Sequence, residues 1–194
     1  MADATRSASD SWAAYPHAVK FYKDEESLGR SVAEFLAPGL LERLPAIVIA
    51  TPAHRHIIAN ELARRGIEVR QSERSGDLQM LDADEVMTQF MNGTRPDPVR
   101  FRAVVDSLIE RACKDRLPCA VRAYGEMVDV LWRRANPEGA IELEVLWNRV
   151  TTRADFSLLC GYAVGNFYKE LANGPTMQMV CDHHNHVMHA DESG

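Results

Sequence analysis

The chain has 194 residues, of which 46% are hydrophobic and 26% charged, with a formal net charge of −6. These values are typical of one soluble globular domain, and the acidic balance excludes the basic footprint of a nucleic-acid or polybasic membrane binder. No apolar run approaches the ~20 residues needed to span a bilayer, so we expect neither direct nucleic-acid binding nor membrane association.

The N-terminal residues and the cysteines indicate the compartment. Residues 1–14 are mostly small and polar and lack the apolar central region of a signal peptide, so we expect a disordered leader. The four cysteines form no CxxC pair. These features predict a cytoplasmic protein with reduced, free thiols. The cysteines are Cys113, Cys119, Cys160 and Cys181.

Strand and helix patterns alternate along the chain. Predicted strands lie at 17–22, 45–52, 67–69, 78–81, 119–124 and 156–162. Predicted helices begin at Ser27 and at Asp82, which would cap them, and the second is expected to end at Met91. Further helices lie at 54–65, 101–114, 127–134, 139–150, 167–171 and 176–189. This alternation predicts an α/β fold with three layers, in which helices cover both faces of a mostly parallel central sheet.

Two common nucleotide-binding motifs are absent from this sequence. A phosphate-binding loop requires GxxxxGK[ST], because backbone N–H groups cradle the phosphates and the lysine contacts them. Near the first predicted helix there is only Gly29, and no GxGxxG occurs. The sequence therefore argues against ordinary NTP or dinucleotide binding.

A strand-to-helix junction carries the strongest functional signal. The strand that ends at Tyr124 leads through a glycine into a helix, and open α/β sheets bind ligands at such carboxyl ends. Glu126 lies at this junction, as a ligand's hydrogen-bond acceptor or, alternatively, as a salt-bridge or helix-start residue. Glu144 adds a second acid further along. The tryptophans nearby are interpreted first as helix core: Trp132 and Trp147.

A cysteine and a histidine-rich tail raise the questions of nucleophilic and metal chemistry. Cys160 ends an apolar strand, where it is a small core residue, a pocket residue or, beside a base, a nucleophile. On a helix, Cys181 and His184 share a face, so they are candidate ligands for a metal ion such as zinc or copper. The tail matches no complete structural-zinc pattern, so a solvated tail, or a helix with one inward histidine, is the alternative.

Eight short segments, taken in order and spacing, resemble one family of sensory domains. They are HAVKFY (17–22), IATPAH (49–54), LDA (81–83), FMNG (90–93), YGEM (124–127), LW (131–132), LEVLWN (143–148) and LCGY (159–162). The chain resembles the MEDS domain of the dichloromethane-responsive regulator DcmR and of sensors in methanogens and methylotrophs. The resemblance implies a degenerate RecA/KaiC-like fold without its phosphate-binding loop. It also implies a module that senses small hydrocarbon derivatives, usually joined to a histidine kinase or a DNA-binding domain.

The resemblance also suggests a division of the chain. We expect the leader at 1–14, a MEDS-like sensory domain at 15–175 and a His-rich C-terminal helix or tail at 176–194. No kinase or helix-turn-helix pattern follows the domain in this sequence. A stand-alone sensor that signals through a separate protein is therefore expected, unless the sequence is a fragment of a longer chain.

These observations lead to a hypothesis of a cytoplasmic, non-enzymatic sensor for a small hydrocarbon-type or one-carbon-derived ligand. Its pocket is expected at the carboxyl edge of the sheet, where Glu126 accepts a hydrogen bond, aromatic rings enclose the ligand and Cys160 coordinates or senses it. The candidate ligand-binding residues are His17, Tyr22, Tyr124, Glu126, Glu144, Trp147, Asn148, Cys160 and Tyr162.

Three alternatives remain open at this point. The first is a protein-interaction adaptor without a small ligand. The second is a metal- or haem-linked sensor that uses His17, Cys160 or the tail, and the third is a degenerate nucleotide binder. A histidine kinase or a transcription regulator is the expected partner, and a homodimer is the default assembly. No cofactor is identified beyond a possible metal ion.

Overall fold

The computed structural model describes residues 16–153, 155–167 and 176–188 as a three-layer α/β structure. A central sheet of six strands has the order β3-β2-β6-β7-β1-β8, and every neighbouring pair is parallel. The predicted fold class is therefore confirmed. The predicted leader at 1–14 lies outside the described residues. The strands are β1 (His17–Tyr22), β2 (Ala46–Ala50), β3 (Leu78–Asp82), β6 (Val121–Gly125), β7 (Phe156–Ala163) and β8 (His186–Met188), and a separate antiparallel pair is formed by β4 (Met91–Asn92) and β5 (Arg95–Pro96).

Eight helices cover the sheet in the described part of the chain. Polar side chains cap several of them, because the first N–H groups of a helix lack partners within it; Asp82 and Asp97 each accept two such N–H groups. The helices are α1 (Glu25–Leu41), α2 (Pro52–Arg64), α3 (Val69–Ser75), α4 (Ala83–Thr88), α5 (Pro98–Ala112), α6 (Met127–Arg133), α7 (Pro137–Val150) and α8 (Met177–Asp182), and a 3-10 helix follows β7 at Val164–Phe167.

Alternate side chains of each strand point to opposite faces of the sheet, and this separates two apolar cores. One core lies between the sheet and helices α1 and α2, and it includes Val48, Tyr124 and Leu159. The other lies between the sheet and helices α4 to α8, and it includes Val19 and Cys160. The central strands are buried on both faces, as the uninterrupted apolar run of β2 predicts.

Several local expectations were wrong. Helix α1 begins at Glu25 and is capped by Asp24 rather than Ser27, since the Asp24 carboxylate accepts the backbone N–H of Ser27 at 2.7 Å. Residues 67–69 form no strand, because Ile67 is a buried loop residue ahead of α3. Helix α4 ends at Thr88, short of the predicted Met91.

The histidine-rich tail is not one helix. Helix α8 ends at Asp182, and β8 then pairs with residues 18–20 of β1, whose edge would otherwise be open. The backbone N–H of Asn185 donates to the His17 carbonyl at 2.7 Å and starts this pairing. Residues 186–188 of the tail therefore belong to the sheet, and α8 packs beside α7 rather than forming a solvated extension. Of the predicted helix at 167–171, only Phe167 is described, in the 3-10 helix.

The expectation of four free thiols was wrong for two of the cysteines. Cys113 directly follows α5 and Cys119 precedes β6, and the loop between them brings their Cα atoms to 5.6 Å, within disulfide range. The two are joined as a disulfide, whereas Cys160 and Cys181 are free. Within residues 16–153, 155–167 and 176–188, no helix combines the length and apolar character that a bilayer span requires.

A close approach in the centre of the sheet predicts a position where only glycine fits. A Cβ atom at Gly161 would lie 2.7 Å from the buried Tyr124 hydroxyl and 3.3 Å from Leu28. We expect Gly161→Ala to lower the free energy of unfolding by about 1–3 kcal/mol, measured by urea denaturation. Gly165→Ala is the matched control, since nothing lies within 4 Å of its added Cβ. Equal stability of the two variants would contradict this packing.

Candidate functional site

Glu126 lies at the carboxyl ends of β2 and β6 and is fully buried. One carboxylate oxygen accepts the backbone N–H of Thr51, and the other accepts the Tyr124 hydroxyl at 3.3 Å and contacts Nδ1 of His54. Burial by itself would raise the pKa of Glu126, but the His54 contact and the Thr51 N–H hold it below the ordinary value. Glu126 is therefore an ionised carboxylate that accepts hydrogen bonds from Thr51 and Tyr124 and contacts His54.

His54 connects this buried carboxylate with solvent. Its Nε2 lies 3.8 Å from a carboxylate oxygen of Glu25, and the Glu25 side chain is 62% exposed. Burial lowers the pKa of His54. The hydrogen bond to Glu126 and the charges of Glu126 and Glu25 together raise it by more, so the net shift of the pKa is upward. The imidazole ring therefore joins the buried edge of the sheet to the start of α1.

Asp129 is the second buried carboxylate at this edge. It accepts the backbone N–H of Ala163 at 2.9 Å, the Asn166 amide at 2.6 Å and the Tyr22 hydroxyl at 3.1 Å, and the Arg133 guanidinium lies 3.0 Å away. Burial is the largest effect on its pKa, which is raised. We call the group of Tyr22, His54, Tyr124, Glu126 and Asp129 the edge network.

Both tyrosines of the edge network stay protonated. Burial is the main cause of the raised pKa of Tyr124, and the neighbouring Glu126 raises it further. Burial and the charge of Asp129 act in the same way on Tyr22. Both phenols therefore act as hydrogen-bond donors at neutral pH.

A second polar group lies inside the core between the sheet and α7. His17 of β1, Glu144 of α7, Cys160 of β7 and His184, which follows α8, bring one donor atom each to within 4.8 Å of one another. Nε2 of His17 lies 3.4 Å from Cys160 Sγ and 3.4 Å from a Glu144 oxygen. That oxygen lies 3.5 Å from His184 Nε2 and 3.7 Å from Cys160 Sγ. We call these four residues the core cluster.

Hydrogen bonds outside the core cluster orient its rings. Nδ1 of His17 donates to the Asn148 side-chain carbonyl at 2.9 Å, and Nδ1 of His184 donates to the Val180 backbone carbonyl at 2.7 Å. Tyr162 donates its hydroxyl to Glu144 at 2.9 Å. In a neutral imidazole one nitrogen donates and the other accepts, so each ring in its neutral form directs an Nε2 lone pair into the cluster.

The charges of the core cluster follow from burial and from its close contacts. Burial would raise the pKa of Glu144, but the adjacent His184 and His17 rings and the Tyr162 hydroxyl lower it to about 2. Burial lowers the pKa of His184 to about 4. Burial and the Glu144 charge raise the pKa of the Cys160 thiol. At neutral pH the cluster therefore holds one carboxylate and one uncharged His184 ring.

The residues proposed from the sequence fall into two groups rather than one pocket. Tyr22, Tyr124 and Glu126 lie in the edge network, on the side of α1 and α2. His17, Glu144 and Cys160 lie in the core cluster on the opposite face, with Asn148 and Tyr162 in contact with it. The sequence predicted one pocket, but the alternation of side chains along the strands places these residues on opposite faces of the sheet.

Three other proposed residues have different surroundings. Trp147 packs in an aromatic core, with ring centroids 4.9 Å from Phe101 and 6.3 Å from Phe156. His184 belongs to the core cluster, whereas Cys181 is not one of its four members. Sequence reasoning missed His54 and Asp129; the signal available for His54 was its place directly after the β2 strand, in the first turn of the next helix.

Comparison with protein-family models shows which family this chain belongs to. The model of the MEDS family, the methanogen/methylotroph, DcmR sensory domain, matches residues 16–184. The chain belongs to the MEDS family. No curated protein matches it.

The solved structures support the same fold. A KaiC-like protein from the hyperthermophilic archaeon Pyrococcus horikoshii OT3, PH0186, matches with a TM-score of 0.52 at 11% identity. The match covers 77% of this chain and 62% of that protein, so this MEDS chain spans about three fifths of its length. The likeness confirms the RecA/KaiC-like fold expected from the sequence.

The His54–Glu126 pair predicts how stability depends on pH. Because the folded-state pKa of His54 is raised, its contribution is complete below the unfolded value of about 6.5 and is lost as the pH rises through the folded value. We therefore expect the stability advantage of the wild type over His54→Gln to shrink as the pH is raised from about 6, in urea unfolding at a series of pH values. His56→Gln, an exposed control on the same helix, should leave this dependence intact. An advantage that stays constant or grows with pH would refute the assignment.

Proposed function

We propose that this MEDS domain senses a small, uncharged hydrocarbon-type or one-carbon-derived molecule at the edge network, and that it acts by binding rather than by catalysis. The observation that supports this best is the edge network itself. Parallel α/β sheets bind ligands outside the carboxyl ends of their strands, and at that place the chain brings together phenol, imidazole and carboxylate groups.

The charges at this edge favour an uncharged ligand over a nucleotide. Glu126 and Asp129 are buried acids, and Asp24, Glu25 and Glu26 follow β1 where α1 begins. A phosphate group would meet these negative charges without a glycine-rich loop to cradle it. A small molecule that exchanges hydrogen bonds with Glu126, Tyr22 or His54 avoids that repulsion.

The rings at the outer side of the network define the proposed entry. Tyr22 and His54 pack edge to face with centroids 5.9 Å apart, and both are at least 95% buried. A ligand that reaches Glu126 displaces the His54 ring from it. Because His54 also faces Glu25, ligand binding would be transmitted to the start of α1, on the surface of the domain.

The output step belongs to the same proposal. A separate signalling protein, such as a histidine kinase or a transcription regulator, would recognise the ligand-dependent state of α1, and the domain would work as a homodimer. We propose the cytoplasm as its compartment, where Cys160 and Cys181 remain thiols. The Cys113–Cys119 disulfide is the feature that favours an oxidising compartment instead.

A substitution at Glu126 tests the proposed ligand site. Tag-free protein is titrated with dichloromethane, methanol and formaldehyde, and with ATP as the anionic comparison, while amide NMR signals and the thermal midpoint are followed. We expect at least one uncharged molecule to shift the signals of Thr51 and Glu126, and ATP to shift neither. Glu126→Gln keeps the shape of the side chain but removes its charge, so affinity should fall by about tenfold or more, since hydrogen bonds to charged groups contribute ~1.5–3 kcal/mol.

Glu110→Gln is the matched control for this titration, because it makes the same change at an exposed position of α5, which covers the other face of the sheet. It should leave the affinity of the small molecule unchanged. Unchanged affinity of Glu126→Gln would remove Glu126 from the site. Tighter binding of ATP than of every uncharged molecule would replace the proposal with a degenerate nucleotide binder.

A further inference from the structure

Four ligand-type side chains meet in the core cluster, away from the edge network. They are two imidazoles, a thiol and a carboxylate, and their side chains are fully buried. The geometry points to a closed binding site for one divalent transition-metal ion, zinc in the first place, with His17, Glu144, Cys160 and His184 as its ligands.

The spacing of the donor atoms fits tetrahedral coordination. Zinc binds nitrogen and oxygen at about 2.0–2.2 Å and thiolate sulfur at about 2.3 Å, so neighbouring ligand atoms of a tetrahedron lie roughly 3.3–3.8 Å apart. Of the six separations between the four donor atoms, four are 3.4, 3.4, 3.5 and 3.7 Å, and the other two are no more than 4.8 Å. Direct hydrogen bonds to nitrogen or oxygen are shorter, at about 2.7–3.2 Å.

The hydrogen-bonding capacity of the cluster is unbalanced without a cation. Nδ1–H of His17 and of His184 is already donated outward, so each Nε2 of the neutral rings offers a lone pair. These lone pairs face a Glu144 oxygen, which also accepts. Within the cluster only the Cys160 S–H is left to donate. Among the described residues, His184 Nε2 is accordingly a buried nitrogen without a hydrogen-bond partner.

A metal ion would balance the charge as well. The Cys160 thiolate and the Glu144 carboxylate carry two negative charges, which one divalent ion neutralises in a place where an isolated charge is costly. The combination of sulfur and nitrogen donors selects zinc or a similar transition metal, whereas magnesium and calcium prefer oxygen ligands. Outward hydrogen bonds to Asn148 and Val180 are the contacts that orient metal-binding histidines.

The site is closed, and this indicates its role. Four protein ligands without access for solvent are typical of structural zinc, whereas catalytic zinc keeps an open position. Three ligands come from β1, α7 and β7, and His184 comes from the turn between α8 and β8. The ion would therefore attach α8 and β8 to the sheet, so that metal occupancy controls the order of the sheet's β8 edge.

Metal analysis of matched cysteine variants tests this inference. Tag-free protein is purified under reducing conditions, supplied with zinc sulfate, desalted and analysed by mass spectrometry of the native protein. We expect one zinc ion per chain in the wild type and in Cys181→Ser, and loss of most of it in Cys160→Ser and His184→Gln. Cys181 is the matched control, since it is the other free cysteine and lies three residues from His184.

Cobalt replaces zinc in a second measurement that does not depend on variants. Co²⁺ added to the metal-free wild type should give the intense visible bands of tetrahedral cobalt and a near-ultraviolet sulfur-to-cobalt transition. Removal of zinc by a chelator should increase hydrogen exchange at His186–Met188 while β2 remains protected. These readouts use the wild-type chain, so failure of a variant to fold leaves the inference testable.

Asn148 provides a test of the positioning of His17. Asn148→Ala removes the acceptor for His17 Nδ1–H and should weaken zinc affinity about 10- to 100-fold, as loss of such outer contacts does. Asn148→Asp keeps an acceptor and should restore most of the affinity. If Asn148 had only a structural role, the two variants would change the stability of the fold but would not differ in zinc affinity.

Several results would overturn the inference. Zinc that is absent from the wild type after addition, or that is lost from Cys181→Ser and kept in Cys160→Ser, excludes the core cluster as its site. Octahedral cobalt spectra without the sulfur transition exclude it as well. Glu126→Gln should keep its zinc, so failure of the metal site and failure of the proposed ligand site are separable.

Discussion

A buried carboxylate, Glu144, is the constraint on which the arrangement of the second core depends. An uncompensated charge in a protein interior costs several kcal/mol, so each element around Glu144 has to supply a compensating group. Tyr162 of β7 donates a hydrogen bond, and the proposed metal ion, bound by His17 and His184 within 3.5 Å of the carboxylate, would supply the positive charge. The turn after α8 is thereby tied to the central strands, although Glu144 and His184 are far apart in sequence.

The same rule governs the other face of the sheet, where Glu126 and Asp129 are buried at the carboxyl edge. The two polar groups are adjacent along β7. Tyr162 contacts the core cluster through Glu144, and the next residue, Ala163, donates its backbone N–H to Asp129 in the edge region. A small shift of β7 would therefore alter hydrogen bonds on both faces, which is a direct physical route between a ligand site and a metal-held edge strand.

Much of the fold was predictable because local patterns agree with it. The apolar run of β2, the capping residue Asp82 and the glycine after Tyr124 each have a local cause that the sequence displays. The strand β8 was not predictable, because residues 186–188 pair with β1 through contacts distant in sequence. The disulfide likewise depends on how the loop after α5 folds, which the spacing of Cys113 and Cys119 alone does not determine.

The composition of the site was easier to predict than its grouping. Glu126, Glu144, Cys160 and His17 were all identified from residue type and position in strands and helices. Their division between two faces follows from strand alternation, which places Tyr124 on one face and Cys160 on the other. Strand register decides which residues of neighbouring strands adjoin, since Val19 lies beside Cys160. His54 and Asp129 were missed because each obtains its importance from a buried partner. The sequence pattern of a strand or helix indicates that an acid is buried, but it does not identify the hydrogen-bond partner, which comes from a distant part of the chain.

Anomalous X-ray diffraction at the zinc absorption edge, from crystals of the zinc-supplied wild-type chain, is the most direct test of the constraint at Glu144. We predict a single strong peak at bonding distance, about 2.0–2.3 Å, from His17 Nε2, His184 Nε2, Cys160 Sγ and a Glu144 oxygen. A peak at surface histidines only, with His184 donating directly to Glu144 at about 2.8 Å, would contradict a metal-centred core and leave an ordinary buried ion pair.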